Sequence, residues 1–254
     1  PDLYAELENQ GDMQSMLQTD FIYAADKNRA AQMSLSQLAI AGVGASYILT
    51  KLLQQEFAIE PKFALGYSMG EAAMWASLNV WQTPHSMIAA TQNSSIFTQY
   101  ISGELRCVRQ QWQLADDENI VWNSFVTRAS IDELAPHLAN YPRAYIAIIQ
   151  GDTCVVAGCE NSCKALLKQA GKRGIAANRV TAMHTPAALN ISESVRQFYQ
   201  QPLVENLPSQ LQFISAAETQ PVVLTSQAIA KSIADTFCHQ LNFTQLILNA
   251  REQG

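Results

Sequence analysis

The 254-residue chain is short of charge, with 16 Lys and Arg against 22 Asp and Glu, 15% charged residues in all and a net charge of -6. So few cations exclude nonspecific nucleic-acid binding, which is built on phosphate contacts from basic side chains. Long apolar runs are missing too, so no segment has membrane-spanning length. Residues 1 to 20 have neither a basic start nor an apolar stretch, and no signal peptide is visible. The five cysteines, Cys107, Cys154, Cys159, Cys163 and Cys238, form no CxxC pair, and Cys159-x3-Cys163 lacks a second ligand pair at zinc-site spacing. Reduced, partly buried thiols in a cytoplasmic protein, with no metal, are the expectation. There is no internal repeat and no low-complexity segment. Pro1 at one end and Arg251-Glu252-Gln253-Gly254 at the other read as the ends of a fragment. What remains is 48% apolar, enough for a substantial core in one large domain or two unequal lobes.

Against that background one hexapeptide stands out, Gly66-Tyr67-Ser68-Met69-Gly70-Glu71. A short apolar run, Pro61 to Leu65, precedes it and reads as a buried strand. Good helix formers, Ala72 to Leu78, follow it. Strand, G-x-S-x-G, helix is the context of a nucleophile elbow. Both glycines are expected where crossing backbones leave no room for a Cβ. Ser68 would then sit at the mouth of a helix, whose first amides, that of Met69 foremost, face developing negative charge. The competing reading is a chance Gly-Ser turn.

Elsewhere the pattern predicts short helices within residues 1 to 30 and a longer one opening at Ser34, with small residues from Ala39 to Ala45 to lie close against the Ser68 strand. A helix capped by Thr83 should run from Pro84 to about Tyr100. Strands are predicted at 105–109, 120–126, 145–149, 153–158 and 177–183, with helices from Ser130 to Leu138 and from Glu160 to Ala170. Strand-helix-strand-strand-helix-strand is a ferredoxin-like order. The expected division is therefore a small lobe at 104–186 inserted between the parts of a large lobe at 1–103 and 187–254. Beyond it, helices are predicted at 186–199 and 225–241, and strands at 211–215 and 222–224.

A serine hydroxyl is a weak nucleophile until a neighbouring base takes its proton. His184, at the end of a strand before Thr185-Pro186, is the expected partner, imidazole titrating in the right range. His85, at a helix start, and His137 and His239, inside helices, are expected to be structural.

The hexapeptide resembles the GHSxGE element of acyl-CoA:acyl-carrier-protein transacylases. Ala182-Met183-His184-Thr185-Pro186 resembles that family's AFHSP element, Leu35-Ser36-Gln37-Leu38-Ala39 its TQPALFA helix, Ile146 to Gly158 its AAVNGPxxVVVSG stretch, and Gln240 to Thr244 its QLxxPVRF segment. With Tyr67 in the elbow, the chain is most similar to the acyltransferase subunit of bacterial polyunsaturated fatty acid synthases. The resemblance implies an α/β-hydrolase-like large lobe with a parallel sheet and a ferredoxin-like insert. It implies attack of Ser68 on an acyl-CoA, with His184 as base and a backbone carbonyl orienting the imidazole. The acyl group would pass to the phosphopantetheine arm of an acyl carrier protein, within a synthase of several subunits and with no permanently bound cofactor.

Departures from the family bear on specificity. Gapless counting puts Asn93 where acid-selective members carry an Arg; Met183 replaces a Phe and Gln150 an Asn. Together with Tyr67 these are the candidate pocket residues. Neither the N-terminal GQGSQ loop, whose amide supplies half the oxyanion hole, nor the C-terminal EVGPG stretch is present, and Gln10-Gly11 is a poor substitute. Lys164, Lys168, Lys172, Arg173 and Arg179 form a basic cluster in an acidic chain. It is either a solvated helix face or a dock for CoA phosphates or an acidic carrier protein. Two other functions compete: a serine thioesterase or esterase, and a degenerate subunit that scaffolds a synthase.

Overall fold

The structure is a computed structural model that describes residues 34–115, 117–177 and 180–253, apart from the side chains of Gln37 and His85. The helices expected within residues 1 to 30, Gln10-Gly11 and Arg179 lie outside the described residues.

α1 (Leu35–Glu56) is a proline-free run of 22 residues. Its buried side, Ala39, Ile40 and Val43, packs against the elbow helix and the helix after it rather than against the Ser68 strand. β1 (Phe63–Gly66) delivers the elbow and α2 (Met69–Ser77) leaves it. Every residue of α2 from Glu71 to Ser77 is buried. α3 (Pro84–Asn93) has Pro in its first turn, but Thr83 makes no side-chain cap. The helix breaks at Ser94 instead of reaching Tyr100, and a π-helical turn covers Ile96–Tyr100.

The strand expected at 105–109 is a helix, α4 (Arg106–Trp112). Five residues with apolar side chains at Leu105, Cys107 and Val108 suit either structure. Extended to Trp112, the spacing Leu105, Val108, Trp112 is helical, and left-handed Leu105 and Gln113 bracket the segment.

β2 (Trp122–Thr127), α5 (Ile131–Leu134), β3 (Ala144–Gln150), β4 (Thr153–Cys159), α6 (Glu160–Gln169) and β5 (Gly174–Ala176) form the βαββαβ order anticipated above. α5 tightens into a 3-10 turn over Ala135–Asn140, where Pro136 removes an N–H. The last strand falls earlier than the predicted 177–183: Gly174–Ala176 pairs with β2, and Ala182 donates to Ile101 O instead of joining a sheet. The strand order β5-β2-β4-β3 with antiparallel neighbours is that of a split βαβ sheet.

A 3-10 turn (Pro186–Ile191) leads into α7 (Ser192–Tyr199), and β6 (Gln212–Ser215) returns to pair parallel with β1, Gly66 opposite Ser215. Residues 222–224 form no strand; Pro221 lacks a donor and one bond, Val222 N–H to Phe213 O, is all that ties them to β6. α8 (Ser226–Cys238) is capped by Thr225 Oγ1, which accepts from Ala228 N–H at 3.2 Å. It stops before the expected Leu241, because β7 (Leu241–Asn242) joins β3 in parallel as a fifth strand of the split sheet. α9 (Phe243–Gln253) follows.

The architecture is α/β, with a parallel β1–β6 pair carrying the elbow and a separate five-stranded sheet. Two apolar clusters fill it. One centres on Trp75 stacked on Phe213 at 4.5 Å, and the other lies between the split sheet and its helices, around Leu134, Val156, Cys163 and Leu166. No helix among the described residues is long and apolar enough to cross a membrane.

Candidate active site

Ser68 stands between β1 and α2 with φ 54° and ψ -127°, a strained conformation for a residue with a Cβ. The turn is tight enough that a Cβ on Gly66 would lie 2.4 Å from Glu71 Cα. Gly70 differs from expectation: among the described residues nothing lies within 4 Å of a Cβ placed there. Only the first glycine answers to the crossing backbones.

Ser68 Oγ and His184 Nε2 are 2.7 Å apart, 116 residues apart in sequence. His184 Nδ1 is 2.8 Å from the carbonyl oxygen of Thr236. A carbonyl can only accept, so Nδ1 carries the proton, Nε2 presents its lone pair, and the Ser68 hydroxyl donates to it. His184 also has positive φ, 61°, and its backbone N–H donates to Phe237 O at 2.9 Å.

These acceptors have a common origin. Thr236 and Phe237 lie in the last turn of α8, whose final carbonyls have no partner further along the helix. His184 takes two of them, and the partial negative charge of that helix end faces the ring. It stands where a carboxylate orients the base in a triad. His184 is 5% exposed. Burial pulls its pKa down to about 4, against the backbone acceptors at Thr236 and His239, so the ring is neutral and able to accept a proton at neutral pH.

Below the dyad lies a group that motif reading passed over. Glu71 is fully buried, and its carboxylate accepts hydroxyls from Ser215 at 2.9 Å, Ser232 at 2.5 Å and Thr236 at 2.5 Å. Burial raises its pKa while the three hydroxyls oppose the rise. Its signal was present in the sequence: a helix apolar all round is buried all round, and Glu71 opens such a helix. Thr236 carried no signal, since any residue supplies a carbonyl.

The other candidates divide. Met69 is the first residue of α2, so its N–H is among those without a partner further back in the helix. Gln150, at the end of β3, donates through Nε2 to Tyr67 Oη at 3.1 Å, and Phe243 meets the Tyr67 ring edge-on at 5.1 Å. Thr244 Oγ1 accepts the next N–H, that of Gly151, at 2.9 Å. Burial raises the Tyr67 pKa, with Gln150 opposing. Asn93 is exposed at the end of α3, and Met183 is packed in the large apolar cluster. A cavity of about 380 Å³ opens beside His184, among Tyr141, Tyr145, Ile146 and Leu189. Its volume is within the range of small-ligand sites; none of Tyr67, Asn93, Gln150 and Met183 lines it.

In the basic cluster, Lys164 pairs with Glu160 and Lys172 with Glu133, while Lys168 and Arg173 are exposed and form no ion pair among the described residues. His137 lies in the 3-10 turn. His239 stands just past α8 rather than inside it, its Nδ1 3.0 Å from Asp235 O.

No protein-family model matches the sequence. The chain is 22% identical over 186 residues to one of the subunits of the polyunsaturated fatty acid synthase of Thraustochytrium sp. (strain ATCC 26185 / S-3), covering 70% of this chain and 9% of that protein. Among solved structures, malonyl-CoA:acyl carrier protein transacylase from Helicobacter pylori superposes with a TM-score of 0.74 at 16% identity, over 99% of this chain and 76% of that one. The acyltransferase domain of the polyketide synthase PpsC of Mycobacterium tuberculosis gives 0.69 at 18%, over 99% and 71%. The acyltransferase domain from the second module of the salinomycin polyketide synthase gives 0.66 at 16%, over 99% and 54%. A chain whose elbow serine meets a histidine seated on a helix end therefore has the fold of the malonyl-CoA:acyl carrier protein transacylases and polyketide synthase acyltransferase domains.

Proposed function

We propose that the chain is an acyltransferase domain that moves an acyl group from coenzyme A to an acyl carrier protein, in polyunsaturated fatty acid or polyketide-type synthesis. The observation that carries this reading is the Ser68–His184 pair held on the Thr236 carbonyl within an elbow. Ser68 Oγ attacks the thioester carbonyl as its proton passes to His184 Nε2. The Met69 N–H faces the resulting oxyanion. Collapse expels the CoA thiolate, which takes the proton back from the imidazolium and leaves an acyl-serine ester. In the second half-reaction the phosphopantetheine thiol gives its proton to the same nitrogen, attacks the ester, and the proton returns to Ser68.

Lobes at 1–103 with 187–254 and at 104–186 are part of the proposal, as are a cytoplasmic location, carrier-protein and synthase partners, and docking at Lys164, Lys168, Lys172, Arg173 and Arg179. The smaller apolar cluster, whose buried members all lie within residues 125–167, supports a small lobe, while Trp122, Ala147, Ala157 and Met183 from the same segment pack into the larger cluster; the free thiols suit a reducing compartment. The hydrolase reading has less support, because the imidazole is oriented by a carbonyl and not by a third acidic residue.

Intact mass spectrometry with mixed acyl-CoAs, with and without carrier protein, tests the function. An adduct on Ser68 that moves to the carrier is the expected result; release as free acid in preference to transfer would make the chain a thioesterase. Asn93 extends the proposal to the substrate. A malonyl carboxylate is costly to desolvate unless an Arg pairs with it, and Asn supplies only a neutral amide. Uncharged acyl groups should load ahead of malonyl, and Asn93→Arg should raise malonyl loading relative to acetyl. Dominance of malonyl in the unmodified chain would remove Asn93 from the specificity argument.

A further inference from the structure

Glu71 has no part in the chemistry proposed above, yet its environment is the most heavily built polar site among the described residues. A buried carboxylate without a cation is costly. Here three hydroxyls answer it: Ser215 at the end of β6, and Ser232 and Thr236 one turn apart on α8. Ser215 Oγ also accepts the Ala217 N–H at 3.0 Å, and lies 3.3 Å from Thr236 Oγ1. One side chain therefore ties the elbow helix to the neighbouring strand and to α8. The tie has a strict local requirement, since a Cβ on Gly66 would collide with Glu71.

Thr236 is where this network meets the dyad. Its hydroxyl donates to Glu71 and its carbonyl accepts from His184 Nδ1. Ser68, three residues before Glu71, is carried on the same helix mouth. We propose that Glu71 is a positioning residue that fixes the end of α8 against the elbow, so that the Thr236 carbonyl holds His184 with Nε2 aimed at Ser68.

The Glu71 carboxylate bonds neither Ser68 nor His184 and acts through Thr236; only its backbone N–H meets the elbow, donating to Ser68 O at 3.1 Å. Losing the tie would let the helix end shift, loosen the Nδ1–H bond and misplace the base. A displacement of about 1 Å at a catalytic group costs on the order of a hundredfold in rate. The role rests on the acyl-serine reading for its purpose, but the geometry is measurable without it.

The test uses the full chain with two removals, Glu71→Ala and Thr236→Val, and two conservative partners, Glu71→Gln, which keeps an acceptor oxygen, and Thr236→Ser, which keeps the hydroxyl. Two readouts are taken: the Nδ1–H resonance of His184 by nitrogen-15 NMR, and the labelling rate of Ser68 by a fluorophosphonate. In the removals the resonance should vanish or exchange rapidly and labelling should slow by about tenfold to a hundredfold. The conservative variants should recover the resonance and most of the rate, a recovery that general loss of stability would not produce. Should Glu71→Ala not fold, Thr236→Val carries the comparison. An intact resonance and unchanged labelling in a folded removal variant would overturn the inference. If the resonance responds as expected while the unmodified chain accepts no acyl group from any acyl-CoA, the positioning role stands and the acyl-transfer reading falls.

Discussion

Ser68 precedes a helix in which every residue from Glu71 to Ser77 is buried, whereas Lys164 and Lys168 project from one that buries only Cys163, Leu166 and Leu167. The first helix has no face to spare, so a carboxylate or hydroxyl on it depends on partners in the protein, although the buried Trp75 indole N–H makes no hydrogen bond among the described residues. Glu71 finds three hydroxyls, and Ser68 at its mouth finds an imidazole. On the second helix water competes for every charge, and Lys164 pairs with the glutamate one turn back on its own helix. Burial turns a motif into a geometry; exposure leaves it a composition.

The sharpest way to break this contrast is at the nucleophile. Ser68→Ala should remove the acyl adduct and lower transfer by several powers of ten with the fold intact. Intact mass and circular dichroism check both halves, and an undiminished adduct would place the nucleophile elsewhere.

His184 tests burial through pH. Its folded pKa, about 4, is depressed below the ordinary 6.5, so between those values the unfolded chain binds the extra proton. The stability this supports is fully present above pH 6.5 and is lost as pH falls through about 4. A depression of this size corresponds to about 3 kcal/mol. Glu71 has the opposite sign: its raised pKa contributes stability at low pH that is lost as pH rises. Urea titrations of the unmodified chain and His184→Ala separate the two, the variant losing less stability between pH 7 and 4. In kcat/KM the same group should appear as an acid limb near pH 4, retained unchanged in His137 and His239 variants.

Gly66 and Gly70 make the comparison within five residues. Gly66→Ala forces a Cβ into Glu71 and should cost about 1–3 kcal/mol in urea unfolding. Gly70→Ala lies in a helix with open space around it and should be neutral, or stabilising by up to about 1 kcal/mol. Equal losses at the two positions would mean that the backbone crossing does not set the glycine requirement.

The smallest effects belong to the basic face. Lys164→Ala and Lys172→Ala remove exposed ion pairs and should leave the unfolding midpoint nearly unchanged. Lys168→Glu should weaken carrier-protein capture, measured by the rise in KM for the carrier at low salt. An unchanged KM would reduce the cluster to a solvated face.

The elbow, the βαββαβ order and the distant histidine were legible because each rests on local chemistry: a Gly-flanked serine between strand and helix, alternating apolar runs, a His before Thr-Pro. Three errors share another cause. Residues 105–109 hold three apolar side chains in a window too short to distinguish a strand from a helix. The last strand of the split sheet came at 174–176, earlier than predicted, because pairing with β2 sets its place. The helix ending at Cys238 gives way to β7 because an edge of β3 is waiting for it. The Thr236 carbonyl was invisible for a related reason, its role belonging to a helix end and not to a side chain.

That fifth strand has a bearing on how the protein comes to be assembled. Gly151 and Thr244, which bond across the junction, are 93 residues apart. At a synthesis rate of roughly 5–20 residues per second, the edge of β3 waits about 5–20 seconds for the strand that covers it. Until then an apolar strand, with Ile146, Ile148 and Ile149, offers unpaired backbone groups to any neighbouring nascent chain. A fragment ending before Leu241 would keep that edge open permanently, so the split sheet should be aggregation-prone when expressed alone, however complete its βαββαβ order.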